Sequence, residues 1–416
     1  MALEFDKNNT LDLDELDTLE AFDYDVSIKV VGVGGGGGNA VEHMAKSGFA
    51  GVEYLVVNTD VPALLSKDKT LMKRLQIGKK LTKGRGAGGK PEVGSESAME
   101  DRQSIENSLG DAAMVFVAAG MGGGTGTGAA PVIAEVAKSM KVLTIGVVTK
   151  PFGFERERKM NTALKGVQEM SKNVDSLIVV PNQALLDRVG DQALTAEAAF
   201  AMVDDVLYKT VKSISEVLST TAQMNVDFAD LKTILEDSGI AHIAFGTGTG
   251  DAKAEEAVAQ VVSDPLLETS IANAGKMLVY LGISRDTILT DIDKVSQKLT
   301  EAAHPDVEVI LGYDYDDELK DTMNVTVVAT SFMESGGRRR RPAPRDGGEF
   351  QTAPLPETVR DVNGDPVFSS PRSDPPSLRN TNTGTLTAAI TGAFDPIIDD
   401  DDPYNDLAGL FGDKNN

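Results

Sequence analysis

Residues 27–180 predict a doubly wound α/β sheet, and three observations carry the prediction. Short β-branched runs with little polar alternation recur along this stretch, as expected of parallel strands buried on both faces. Each run gives way to a segment of helical periodicity. Glycine-rich turns stand at strand-to-helix junctions, the edge at which open α/β sheets bind ligands.

The first run is Ser27-Ile28-Lys29-Val30-Val31-Gly32-Val33, followed at once by the five glycines Gly34 to Gly38 and a helix predicted to start at Asn39. Without side chains the turn lets main-chain N–H groups reach an anion, and the helix N-terminus adds partial positive charge. Gly32, Gly34 and Gly37 also satisfy the dinucleotide pattern G-x-G-x-x-G, with Glu53 at the spacing of a ribose contact, so this loop alone supports an oxidoreductase. Val52 to Val57 is a second strand and ends in the polar group Asn58, Thr59 and Asp60. Gly84 to Lys90 fits G-x-x-x-x-G-K, but Pro91 stands where a P-loop needs Ser or Thr for magnesium, and no strand precedes it. It is therefore expected as a third glycine loop and not as a Walker site.

The apolar run Met114 to Ala119 leads into Gly122, Gly123, Gly124, Thr125, Gly126, Thr127 and Gly128, and then into a helix predicted over 129–140. This loop predicts a phosphate cradle, with threonine hydroxyls as added donors. Val142 to Thr149 and Ser176 to Val180 continue the series, and Glu155 and Asn182 fall just past them, at the same sheet edge. Residues 196–220 read as one long amphipathic helix on which Phe200 and Asp204, four apart, share a face. Beyond it Asn225 to Asp230 enter a short helix, for which helix capping by Asp227 and Asp230 is the plainest use. A second α+β series follows, with strands near 240–246, 277–281, 307–312 and 325–330 and helices near 253–263 and 292–303.

The 416 residues carry a formal charge of −24. Residues 1–25 hold nine acids against one base, and residues 336–416 thirteen against nine, which leaves −12 on the body between them and argues against nucleic acid as a partner. There is no cysteine, so disulfides and thiolate chemistry are excluded. The acidic start is unlike a secretory signal, and no run has the roughly 20 apolar residues of a membrane span, so a cytoplasmic protein is expected. Residues 1–25 are expected as a disordered acidic arm. Ten of the 17 prolines fall after residue 335, which predicts a disordered linker over 335–390 and a tail peptide over 391–416. The three histidines, His43, His242 and His304, have no ligand-like spacing and are expected to be structural.

These residues resemble the FtsZ family, the bacterial tubulin-like division GTPases. Gly34 to Asn39, Asn58-Thr59-Asp60, Ala119 to Pro131, Val148 to Phe152 and Asn225 to Asp230 match in order, over about residues 26–332. The resemblance implies a tubulin-like fold, with a GTP-binding domain (26–195), a central helix (196–220) and a smaller domain (221–334) whose loop completes the next subunit's active site in a head-to-tail homopolymer. It also implies GTP/GDP as ligand with Mg2+, a cytokinetic ring at mid-cell, and division or membrane-tether proteins as partners of the tail. On this reading Gly35, Gly36, Gly37, Gly38 and Asn39 hold phosphate together with residues 122–128. Asn58, Glu155, Lys159 and Asn182 complete the nucleotide site; Phe200 stacks on the base and Asp204 reads its donor edge. Asn225, Asp227 and Asp230 of a neighbour orient the attacking water. The chain departs from the family at Arg156, where Gly is usual, at Lys159, where Arg is usual, and in its tail. Those departures support a second reading, a diverged copy acting as a structural or regulatory filament protein with weak GTPase activity.

Overall fold

The computed structural model describes residues 26–48, 51–190, 194–218, 224, 226–267, 271–317 and 319–332. The arm at 1–25, Asn225, the linker and the tail lie outside them.

In the first half the strands are β1 (Ile28–Val33), β2 (Val52–Asn58), β3 (Lys73–Gln76), β4 (Met114–Gly120), β5 (Leu143–Lys150) and β6 (Ser176–Pro181). All are parallel, in the order β3-β2-β1-β4-β5-β6. The longer helices between them are α1 (Gly34–Lys46), α2 (Pro91–Glu100), α3 (Arg102–Leu109), α4 (Thr125–Ser139), α5 (Glu157–Ser171) and α6 (Asn182–Val189). The sheet is covered on both faces. One core joins Val41 and Met44 of α1 to the long helix α7 (Ala196–Glu216), and the other joins α3, α4 and α5 through Ile105, Ile133 and Val167. This is the doubly wound arrangement the hydrophobic pattern predicts.

The second half holds α8 (Phe228–Leu235), β7 (Gly239–Thr249), α9 (Lys253–Val262), β8 (Lys276–Ile283), α10 (Leu289–Ala302), β9 (Glu308–Tyr315) and β10 (Thr322–Thr330). Its strands do not form a separate sheet. β7 pairs in parallel with β6 through Ser176 to Gly239, Leu177 to Ile240 and Ile178 to Ala241, so the ten strands make one sheet that ends β6-β7-β10-β8-β9. Here β10 runs antiparallel to both its neighbours, while β8 and β9 are parallel.

Both glycine loops are more helical than their composition suggests. Glycine costs about 1 kcal/mol against alanine in a helix interior, which places the start of α1 at Asn39. The helix instead starts at Gly34, because only glycine lets it lie directly on the sheet. A Cβ on Gly37 would stand 2.2 Å from the Ala118 carbonyl oxygen, and one on Gly32 2.4 Å from that of Gly37. Likewise α4 starts at Thr125 and not at Ala129.

The central helix α7 is fastened along its length. Asp204, Tyr208, Lys212 and Glu216 follow each other at four-residue steps and so line one face. His43 of α1 meets the Tyr208 ring edge-on at 5.9 Å, Lys212 sits 5.8 Å over the same ring, and Lys212 pairs with Glu216 at 3.4 Å. Glu216 hydrogen-bonds Tyr280 of β8, and burial raises the pKa of both groups. The histidines take structural places: His242 meets the Phe332 ring edge-on at 4.8 Å and is pushed down to about 4 by burial, and His304 Nδ1 accepts the Asp306 N–H at 3.2 Å.

Candidate nucleotide site

The carboxyl ends of β1, β2, β4, β5 and β6 bring the predicted loops to one edge. Gly34 of the first loop abuts the second so closely that a Cβ on it would lie 2.8 Å from the Gly126 amide nitrogen. Thr59 Oγ1 and Thr125 Oγ1 share a hydrogen bond of 2.7 Å, joining the end of β2 to the second loop. Asn58 is buried, and its Oδ1 accepts the Asp60 N–H at 3.2 Å, which shapes the turn between them. The third glycine loop belongs here too, since a Cβ on Gly124 would meet Ala87 Cβ at 2.8 Å and the Lys90 nitrogen at 2.9 Å.

The same letters in the two loops do different work. Gly126 and Gly128 are buried and packed on backbone: added Cβ atoms would stand 2.6 Å from the Gly120 oxygen and 1.9 Å from that of Pro91. Thr127 is buried as well, and its hydroxyl accepts the Gly122 N–H at 2.8 Å, holding the turn. Gly35 and Gly123 have nothing within 4 Å of their missing side chains, and Gly35, Gly36 and Asn39 are exposed. Neither α1 nor α4 has a side-chain cap or an acid in its first turn. Two helix N-termini with unclaimed N–H groups therefore meet at one edge, an electropositive seat for a polyphosphate.

Beyond this seat lies an aromatic and acidic corner. Phe152, buried at the end of β5, stacks on Phe154 at 5.2 Å and takes the edge of Phe200 at 5.3 Å. Phe200 remains 46 % exposed on α7, so it offers a ring to a flat ligand. Asp204, one turn on, is pushed up to about 6 by burial, against the opposing charges of His43 and Lys67. Asn182 opens α6 and is buried, and its Oδ1 has no hydrogen-bond partner among the described residues, an acceptor awaiting a donor.

Glu155 and Lys159 are ion-paired to each other, and Glu155 Oε1 also accepts the Phe152 N–H at 3.0 Å. The stem of Lys159 lies against Gly122, where a Cβ would come within 2.7 Å of its Cγ. Between them Arg156 stands at φ 79, ψ 155. That region of backbone space is essentially reserved for glycine and costs other residues about 1–3 kcal/mol. Arg156→Gly is accordingly expected to raise stability by about 1–2 kcal/mol, read as a higher melting temperature with the nucleotide-free protein.

Asp227 and Asp230 lie elsewhere. The Val226 N–H bonds the Val217 carbonyl at 3.0 Å, which pins their loop to the far end of α7. From Phe200 to Val217 the helix rises about 25 Å at 1.5 Å per residue. Both acids are exposed, and Asp227 stands at the N-cap of α8 without bonding its N–H groups, so capping does not account for it.

The dinucleotide reading fails on position. Glu53 sits near the start of β2, at the opposite edge from the glycines, and pairs with Lys73 at 2.7 Å and Lys29 at 3.8 Å. Among the described residues there is no cluster of three or more His, Asp or Glu able to hold a metal ion, and no helix is long and apolar enough to cross a membrane. One residue that the sequence reading passed over is Lys67, in a polar run with no motif; its buried ammonium contacts Asn39.

Comparison with known proteins agrees with this layout. Residues 27–190 match the GTPase domain of the tubulin/FtsZ family, and residues 239–333 match the C-terminal domain of the FtsZ family. The chain is 45% identical over 317 residues to the cell division protein FtsZ of Aquifex aeolicus, covering 76% of this chain and 86% of that one. The FtsZ dimer of M. jannaschii superposes with a TM-score of 0.71 at 35% identity, over 77% of this chain and 92% of that one. CetZ2 of Haloferax volcanii, seen as a GTPγS-bound protofilament, shares the fold at a TM-score of 0.62 and 20% identity, over 74% and 94% of the two chains. Two domain matches in series, a close relative matched over most of its length, and two glycine loops meeting at one sheet edge lead to one assignment: the chain belongs to the tubulin/FtsZ family as an FtsZ-type, filament-forming GTPase of cell division.

Proposed function

We propose that the active site is shared between two copies of the chain: one holds GTP on the loops of residues 34–39 and 122–128, and the next supplies Asp227 and Asp230, with Asn225, to the γ-phosphate. The observation that supports this is the roughly 25 Å of helix between the base corner and the acids, which no side chain bridges. Within one molecule the glycine loops bind and position, while Asp227 and Asp230 lie by the far end of α7. Joining two copies head to tail brings the acids of one to the loops of the other, and positioning of this kind is most of what phosphoryl transfer requires.

In this reading the triphosphate lies on the N–H groups at the starts of α1 and α4. Guanine stacks on Phe200, Asp204 accepts from its N1–H and amino donors, and Glu155 and Lys159 exchange their mutual pair for ribose and phosphate contacts. Mg2+ accompanies the nucleotide. The described residues offer it no cage, so phosphate oxygens and water would hold it, as is common for this ion. The protein would act in the cytoplasm at the mid-cell division site, with the tail at 391–416 reaching division or membrane-tether proteins.

The test is phosphate release measured against protein concentration with GTP and with ATP, alongside sedimentation. Turnover per subunit is expected to rise with concentration, to coincide with pelleting, and to require GTP. A concentration-independent rate would overturn the shared site. Pelleting without phosphate release would favour the alternative, a structural filament with little catalysis.

The state of Asp204 adds a pH dependence. Burial raises its pKa to about 6, with His43 on α1 and Lys67 as the opposing charges. The carboxylate is the form that accepts from guanine. GTP affinity is therefore expected to be full above pH 7 and to fall as the pH drops through about 6, and Asp204→Asn should remove that dependence in a titration of nucleotide binding.

A further inference from the structure

Lys67 follows a short helical turn, Val61–Leu65, which Asp60 caps just past the end of β2 by accepting the Ala63 N–H at 3.0 Å. Its backbone is held in place: the carbonyls of Leu64 and Lys67 both accept from Arg74 at 3.3 Å. The side chain is only 8% exposed, and its ammonium donates to Asn39 Oδ1 at 2.7 Å and to Glu42 Oε2 at 2.8 Å. An ammonium has donors and no acceptor, so the Asn39 amide has a single compatible orientation, with oxygen toward Lys67 and NH2 turned away. Asn39 is exposed, so that NH2 looks outward from the first glycine loop.

Where it looks follows from helix spacing. Asn39 and His43 are four apart on α1, Asp204 and Tyr208 four apart on α7, and His43 already touches Tyr208. Both helices start at the ligand edge, so Asn39 and Asp204 stand one turn nearer that edge and level with each other. On guanine, O6 is an acceptor directly beside the N1–H that Asp204 would receive. Adenine carries an amino donor in the O6 position.

We propose that Lys67 is a positioning residue that sets the base preference of the site, by locking the Asn39 amide so that it presents a donor to guanine O6 and opposes the amino group of adenine. The inference rests on the proposed placement of the base at Phe200 and Asp204. Without the ammonium the amide is free to turn over and offer its oxygen to adenine, so selectivity falls even if the pocket keeps its shape. A merely structural lysine would weaken both nucleotides alike, and the ratio is read well above the Asp204 pKa of about 6, where Lys67 no longer acts through the charge of that carboxyl.

The experiment measures binding of GTP and ATP by calorimetry to the full chain and to the Lys67→Met, Lys67→Arg, Asn39→Asp and Asp204→Asn variants, with a thermal melt for each. Lys67→Met keeps the aliphatic stem and is expected to lower the GTP-to-ATP affinity ratio at least about tenfold, while Lys67→Arg restores most of it. Asn39→Asp has acceptors only and keeps a cation beside it, so it should lose selectivity likewise even if Lys67→Met fails to fold. An unchanged ratio in a folded Lys67→Met, or in Asn39→Asp, overturns the proposal. If Asp204→Asn binds GTP as tightly as the native chain, the placement of the base is what has failed, and the proposal falls with it.

Discussion

Asp230→Ala is expected to bind GTP as the native chain does and to release phosphate about a hundredfold more slowly. The acid is exposed at the first turn of α8, away from the glycine loops of its own molecule, so its removal costs the nucleotide site nothing. Groups that orient a nucleophile or take its proton contribute roughly 10²- to 10⁴-fold to rate. Mixing this variant with Asp204→Asn makes the test sharper. Asp204→Asn keeps its acids but holds the base poorly, so in the mixture one kind of junction unites an intact base corner with an intact acid pair. Part of the turnover should return. Native-rate hydrolysis by Asp230→Ala, or a mixture no faster than the sum of its parts, would show that the acids act elsewhere or not at all.

The second large effect separates glycines that the sequence writes identically. Gly128→Ala drives a methyl group to 1.9 Å from the Pro91 oxygen and 2.7 Å from the Ser95 nitrogen. Both neighbours are backbone, so α2 must move off α4, at a cost of about 3 kcal/mol or more. The expected result is a melting temperature many degrees lower, and with it loss of the nucleotide loop. Gly35→Ala meets nothing within 4 Å and keeps an ordinary helical backbone, so helix propensity alone predicts a gain of up to about 1 kcal/mol. Its methyl group instead enters the space where phosphate would lie, and GTP affinity should fall about tenfold, or about 1.4 kcal/mol. A Gly35→Ala protein that is stable and binds GTP normally would move the phosphate away from the first loop.

Much of this was legible because it is written locally. The buried strands β1, β4 and β5 are runs of Val, Ile and Ala that suit a two-faced sheet, and α7 declares itself by apolar residues at helical steps. Other elements send no such signal. The edge strand β3 is the four-residue run Lys-Arg-Leu-Gln, and α2 and α3 are rich in Ser, Glu and Asn, so both helices depend on packing against α4. The dinucleotide pattern at Gly32, Gly34 and Gly37 is a match of letters whose acid, Glu53, proves to lie at the wrong end of its strand.

By itself, then, the sequence determined the fold class, the edge at which the loops gather and the anionic character of what they bind, because periodicity and glycine runs act over a few residues. Tertiary structure alone decided three things. It divided the glycines between those that touch backbone and those that face open space. It set the acids a helix length from the loops. It brought Lys67 against Asn39 across 28 positions of chain. Each of these is a distance between segments remote in sequence, and such distances are fixed only when the sheet and its covering helices pack.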